Sequence, residues 1–177
     1  MDHLQEIKDL TKSVLEETQE LQTLKNDIEN YRKAIDSLDA VMQRARKLSV
    51  ENSGNIEIDQ LITVIQDICP ALFFCLPALD SLNTAASIAE QKRVEKYNLA
   101  RSSFVGTQGD KTSAAESGSI GEKVVADLYK GCYKDLDQRI KLGLEIVAAY
   151  KKALDVKSKE LSTFNTQNRI QSSYGAE

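Results

Sequence analysis

The feature that most constrains the fold is a seven-residue repeat of apolar side chains over residues 4–48. All six a positions and five of the six d positions are apolar, Glu17 being the exception, and such a repeat over six heptads is typical of a coiled coil or a long bundle helix. The sequence therefore predicts a helix over about 4–50. We refer to the apolar a and d residues of this repeat as the seam: Ile7, Leu10, Val14, Leu21, Leu24, Ile28, Tyr31, Ile35, Leu38 and Met42.

The seam could pack in two ways, against a second copy of the chain or against other helices of the same chain. Acidic side chains at position g, Glu20 and Asp27, and basic side chains at position e, Lys25 and Arg32, suit pairing between two parallel copies. The same charges also suit the solvated sides of a helix within one bundle. A helix of some 45 residues would be roughly 65–70 Å long. Because a compact globule of this size cannot cover that length, we expect an elongated molecule.

A second helix is predicted over 57–104. Turn-forming residues around Gly54 and Asn55 end the first helix, and from Ile58 apolar residues recur every three or four positions. A short turn makes the two helices antiparallel neighbours.

Within this helix, residues 68–79 carry no charge and contain both prolines of the chain. An interior proline removes one helical hydrogen bond, so we expect a bend near Pro70 and Pro77, with a break at Cys69–Pro70 as the alternative. We expect the segment to be buried between helices or under a partner. The alternative is a membrane-inserting element. The candidate residues of this apolar segment are Pro70, Leu72, Phe73, Phe74, Leu76, Pro77 and Leu79.

Residues 106–121 hold four of the eight glycines, and this composition predicts a flexible loop. The helical pattern resumes over about 122–168. Its stretch 142–150 is nearly all apolar and should meet segment 68–79. The fold class predicted is all-α, with residues 1–177 forming a single elongated antiparallel bundle of three long helices.

No catalytic, cofactor or metal site is predicted. The one histidine is His3, and the sequence shows no cluster of metal-ligating side chains. Asp135 and Asp137 are two residues apart and so lie on different faces of a helix, where they cannot converge for acid–base chemistry. We therefore expect a protein that is not an enzyme.

The net charge is −4, which argues against a nucleic-acid partner because such proteins carry a basic patch. We find no signal peptide and no apolar run long enough to span a membrane. The three cysteines form no C-x-x-C pair, and unpaired thiols indicate a reducing, cytoplasmic location.

These observations predict a non-enzymatic helical interaction protein, either a scaffold or an assembly subunit. It would contact protein partners or its own copies through coiled-coil surfaces. The alternative is a membrane-active helical bundle, of the pore-forming or bilayer-inserting type, that uses segment 68–79.

Overall fold

The computed structural model describes the backbone of residues 3–51 and 56–174, and the side chains of 19–51 and 56–169. The described backbone forms four helices and no strand, which confirms the all-α class. The helices are α1 (His3–Glu51), α2 (Ile58–Ser103), α3 (Gln108–Gly118) and α4 (Ile120–Tyr174). The turn residues Gly54 and Asn55 lie outside the described part.

Helix α2 continues through both prolines without a break. Each proline leaves the carbonyl four residues before it without a helical donor. Those carbonyls belong to Gln66 and Phe73, which are exposed, as are Pro70 and Pro77 themselves. Both prolines therefore lie on the exposed side of α2. The bend remains a prediction.

The prediction of a loop over 106–121 is wrong for most of this stretch, because residues Gln108–Gly118 form α3. Thr107 caps this helix: its hydroxyl accepts from the backbone N–H of Asp110, whose carboxylate accepts from the N–H of Thr107. This reciprocal pair is a capping box. On its other side α3 buries Ala115 completely. A local cap and a small buried contact thus hold a segment that its composition assigns to a loop.

Replacing Thr107 by alanine should destabilise α3 by about 1 kcal/mol, because the cap satisfies a backbone donor of the first turn. Opening of a local element exposes its peptide bonds to proteases. We therefore expect Thr107→Ala to speed tryptic cleavage after Lys111 about fivefold, while the exposed Ser113→Ala serves as the control. Equal cleavage rates in the two variants would show that the cap does not hold the helix.

The chain divides into two compact units. Unit 1 comprises the chain up to Ala34 and Leu76–Leu136, and unit 2 comprises Ile35–Cys75 and the chain from Asp137 onward. Helices α1, α2 and α4 contribute to both units, and α3 belongs to unit 1.

The core of unit 1 is rich in small residues. Close helix approach shows at Gly118 of α3, where an added Cβ would lie 2.9 Å from Cβ of Ala100 in α2. The buried apolar residues of unit 1 are Ala34, Leu82, Ala86, Ala89, Ala115, Ala126, Tyr129, Cys132 and Leu136.

Hydrogen bonds from tyrosine and lysine side chains tie α4 to its neighbours in unit 1. Tyr31 donates to Asp135 over 2.7 Å. The Glu90 carboxylate of α2 accepts from Arg93 over 2.6 Å and from Lys130 of α4 over 2.7 Å. These two hydrogen bonds, with that of Arg93 the stronger influence, lower the pKa of Glu90 to about 2.

Because the pKa of Glu90 is lowered, the stability that its ionised carboxylate contributes to the fold depends on pH. The contribution is fully present above pH 4.5, the ordinary pKa of the group, and is lost as the pH falls toward 2. We expect the ¹³C resonance of the Glu90 carboxyl carbon to titrate near pH 2, and Lys130→Ala to move that midpoint upward. A midpoint near 4.5 in the unaltered chain would contradict the hydrogen-bond geometry.

Unit 2 has larger buried side chains, contributed by α1, α2 and α4 and by Ile56, which precedes α2. Tyr150 of α4 donates to the backbone oxygen of Ala45 in α1 over 2.7 Å, and Arg139 pairs with Asp39 between the same helices. The buried apolar residues are Leu38, Val41, Met42, Ala45, Ile56, Leu61, Val64, Ile68, Ala71, Leu72, Cys75, Ile140, Val147 and Tyr150.

Candidate interaction surfaces

The seam divides into parts of different exposure. Leu38 and Met42 are buried in unit 2, so that part of the seam is used inside the chain. Leu21 is 67% exposed. Four seam residues are half-buried: Leu24, Ile28, Tyr31 and Ile35. The side chains of Ile7, Leu10 and Val14 lie outside the described residues.

One side of the apolar segment packs inside unit 2. Ile68, Ala71, Leu72 and Cys75 are buried, and their spacing of three and four residues is that of one helix face. An added Cβ at Gly143 of α4 would lie 2.8 Å from Cδ2 of Leu72. The predicted contact between stretch 142–150 and segment 68–79 is therefore present at this point.

The opposite side of the segment faces solvent. Phe73 is 75% exposed and Phe74 is 63% exposed, and Cys69 and Pro70 beside them are also exposed. We call these four residues the aromatic face. The prediction that Phe73 and Phe74 are buried between helices of the chain is wrong. In unit 2, α2 packs against α1 and α4, and two neighbours cover only one face of a helix.

The aromatic face borders a shallow cavity of about 360 Å³ between α1 and α2. Phe74 and Pro70 form part of its wall, and Val41 and Ala71 contribute further apolar surface. At its edge Arg44 of α1 pairs with Asp67 of α2 over 3.7 Å. The face is thus an apolar surface with a recess beside it and one ion pair at its margin.

The remaining residues of the apolar segment belong to unit 1. Leu76 and Pro77 are exposed, and Leu79 is half-buried. As in unit 2, an uncharged stretch of α2 leaves apolar side chains in contact with water.

Among the described residues, α2 alone has an 18-residue window long and apolar enough to cross a membrane. The window is defined by its average hydropathy and tolerates up to two charged residues, so it does not require the uninterrupted apolar run that the sequence lacks. Of the window, 33% is buried inside the chain. Core helices of soluble proteins pass the same criterion, so the finding does not assign α2 to a bilayer.

The described residues show little that would support covalent or metal chemistry. They contain no group of three or more His, Cys, Asp or Glu side chains placed to hold a metal ion. The three cysteines all lie within the described residues and form no disulfide. Burial raises the pKa of Cys75 and of Cys132, and a raised pKa lowers the thiolate fraction that reacts as a nucleophile.

No family model, curated protein or solved structure matches this chain.

Proposed function

We propose that this chain is a non-enzymatic helical interaction protein, a scaffold or assembly subunit that binds a protein partner through exposed apolar surfaces. The aromatic face carries the proposal. Two adjacent phenylalanines with most of their surface in water are costly for solubility unless another surface covers them. Buried aromatic side chains are also the residues that most often dominate binding energy at protein interfaces.

Along α2, the charges that flank the aromatic face favour a protein over a lipid surface, and Arg44 of α1 beside the face is paired with Asp67. Asp67 precedes the segment and Asp80 follows it, and the stretch between them has no Lys, Arg or Trp. Side chains of those three types usually hold a segment at a membrane interface, and carboxylates are repelled by anionic lipids. Cysteines that form no disulfide further support a protein that works in a reducing compartment such as the cytoplasm.

Site-specific photocrosslinking tests the proposal. We expect a photoreactive residue at position 73 to cross-link to a specific surface of one protein when it is irradiated in extract of the source cells. That protein is either a partner or a second copy of the chain. A photoreactive residue at Val105, which is 96% exposed, serves as the control for exposure alone. Identical cross-link patterns from both positions, or cross-links to lipid only, would contradict the proposal.

The double variant Phe73→Ser/Phe74→Ser should abolish that assembly and leave the chain folded, because both side chains already face water. Size-exclusion chromatography of the extract would report the assembly, and far-UV circular dichroism would report the helices. Leu99→Ser replaces another exposed apolar residue of α2 and should leave the assembly intact. If the double variant assembles like the unaltered chain, the aromatic face is not the contact surface.

A membrane-active bundle is the second candidate function, and the apolar window of α2 favours it. Flotation with neutral and with acidic vesicles separates the two candidates. Our proposal expects the chain to stay in the soluble fraction with both. Flotation that is lost in Phe73→Ser/Phe74→Ser would favour the membrane function instead.

A further inference from the structure

Unit 1 contains an apolar groove, of about 700 Å³, that is distinct from the aromatic face. Its floor is formed by α4, where Tyr129 is buried and Val125 is half-buried. One wall is formed by Leu21 and Leu24 of α1, and the other by Ala85, Ile88 and Ala89 of α2. Three helices therefore enclose an apolar space that their own side chains do not fill.

The groove opens between α1 and α2. Leu21 on one wall is 67% exposed and Ile88 on the other is 49% exposed, whereas the floor residue Tyr129 is buried. Small side chains at Ala85 and Ala89 widen the space between these walls. An opening of this kind, with two helices as walls and a third as the floor, has the form of the grooves that bind an amphipathic helix.

The length of the groove sets the size of its occupant. On α4 it runs from Gly121 to Tyr129, which is eight steps of ~1.5 Å, or about 12 Å along the helix. Apolar anchors at positions i, i+3 or i+4, and i+7 of a docked helix span about 10 Å. Two turns of an amphipathic helix therefore match the groove.

The rim of the groove is acidic. Its charged lining residues are three carboxylates, Glu20, Asp27 and Glu122, and one cation, Lys92, so their net charge is 1 − 3 = −2. Lys92 pairs with Glu20 and Lys96 pairs with Glu122, so these two lysines leave the three carboxylates with an excess of one negative charge, 2 − 3 = −1. Tyr129 donates to Asp27 over 2.9 Å, and burial together with that carboxylate raises the pKa of the tyrosine. The rim consequently favours a cationic occupant.

We propose that this groove binds an amphipathic helix of a partner protein, with apolar anchors over two turns and lysine or arginine side chains beside them. This inference rests on the proposed function, since it names a class of partner for an interaction protein. It concerns a surface in unit 1, whereas the aromatic face lies in unit 2.

Two designed helical peptides test the inference. Both carry leucines at i, i+3, i+4 and i+7, and they differ only in whether lysines or glutamates flank this stripe. Fluorescence anisotropy with the full chain should show saturable binding of the lysine peptide. The glutamate peptide should bind at least about fivefold more weakly, which corresponds to one favourable exposed charge pair. Added salt should reduce the difference by screening.

Variants of the chain localise the binding. Ala85→Phe should abolish it by filling the groove, and Ile88→Ser should weaken it by removing an apolar wall. Leu99→Ser, an exposed apolar change on the same helix, should leave it unchanged. Glu20→Lys should narrow or reverse the preference between the two peptides. Circular dichroism checks that each variant remains helical.

Several results would overturn the inference: no saturable binding, equal affinity for both peptides, or binding that survives Ala85→Phe and Ile88→Ser. A chain dimer whose second copy occupies the groove and excludes the peptide would overturn it as well. Failure here with intact cross-linking at position 73 leaves the proposed function standing. Peptide binding in the groove without cross-linking at position 73 would contradict the proposed role of the aromatic face and would support that of the groove.

Discussion

Leu38→Ala is expected to destabilise the chain by about 2–5 kcal/mol, the usual cost of deleting a fully buried leucine side chain. Leu38 is 0% exposed, and its Cδ1 lies 3.6 Å from where a Cβ would stand on Gly143 of α4. Truncation would leave a cavity at this contact. Urea unfolding followed by circular dichroism measures the loss.

Leu21→Ala is the matched control, because both leucines belong to the seam. Leu21 is exposed, so its truncation should cost less than about 1 kcal/mol. Comparable losses of unfolding free energy in the two variants would show that Leu21 is buried as Leu38 is, contrary to the structure.

Gly143→Leu should destabilise unit 2 by about 1–3 kcal/mol or more, since it forces extra volume into a closed contact. Even a Cβ at this position would meet Cδ2 of Leu72 at 2.8 Å, and Leu72 is itself buried. The loss should exceed the gain in helix propensity, which is about 1 kcal/mol when glycine is replaced inside a helix. Thermal unfolding reports the difference.

Gly131→Leu, on the same helix, separates the gain in helix propensity from the steric cost of adding volume to the core. No atom lies within 4 Å of a Cβ built at Gly131, which is exposed. This variant should therefore gain up to about 1 kcal/mol from propensity alone. A stabilised Gly143→Leu variant would mean that α2 and α4 do not approach closely at this point.

The periodicity of the sequence predicts where the long helices lie, because one apolar face per helix is a local property of the chain. Helices α1 and α2 begin and end within one residue of the predicted limits, 4–50 and 57–104. Periodicity does not predict which part of a face is covered. Leu21 and Leu38 both belong to the seam, at positions a and d, and the neighbouring helices leave the first exposed and bury the second.

Helix α3 escaped prediction because it lies within residues 106–121, which hold four of the eight glycines of the chain. A local signal was present, however. Thr107 and Asp110 have the spacing of a capping box, with aspartate in the place usually held by glutamate or glutamine, and this spacing marks a helix start within the predicted loop. Composition averaged over 16 residues concealed it.

Neither candidate surface could be located from the sequence alone. An uncharged stretch is compatible with a core helix, and Phe73 and Phe74 face water only because α2 has two neighbours in unit 2. The groove of unit 1 likewise depends on how far α1 stands from α2, which no pattern within a single helix determines. In both cases the number and spacing of neighbouring helices decide the exposure.

A single tryptophan placed at position 73 tests the central claim most directly, because the chain contains no other tryptophan. In the isolated Phe73→Trp chain, the account predicts the red-shifted, readily quenched emission of an indole in water. Addition of the protein cross-linked at position 73 should shift the emission to the blue and protect the indole from quenching, whereas neutral or acidic vesicles should change neither. Blue-shifted emission from the isolated chain, or a shift with vesicles alone, would contradict the claim that this face binds a protein.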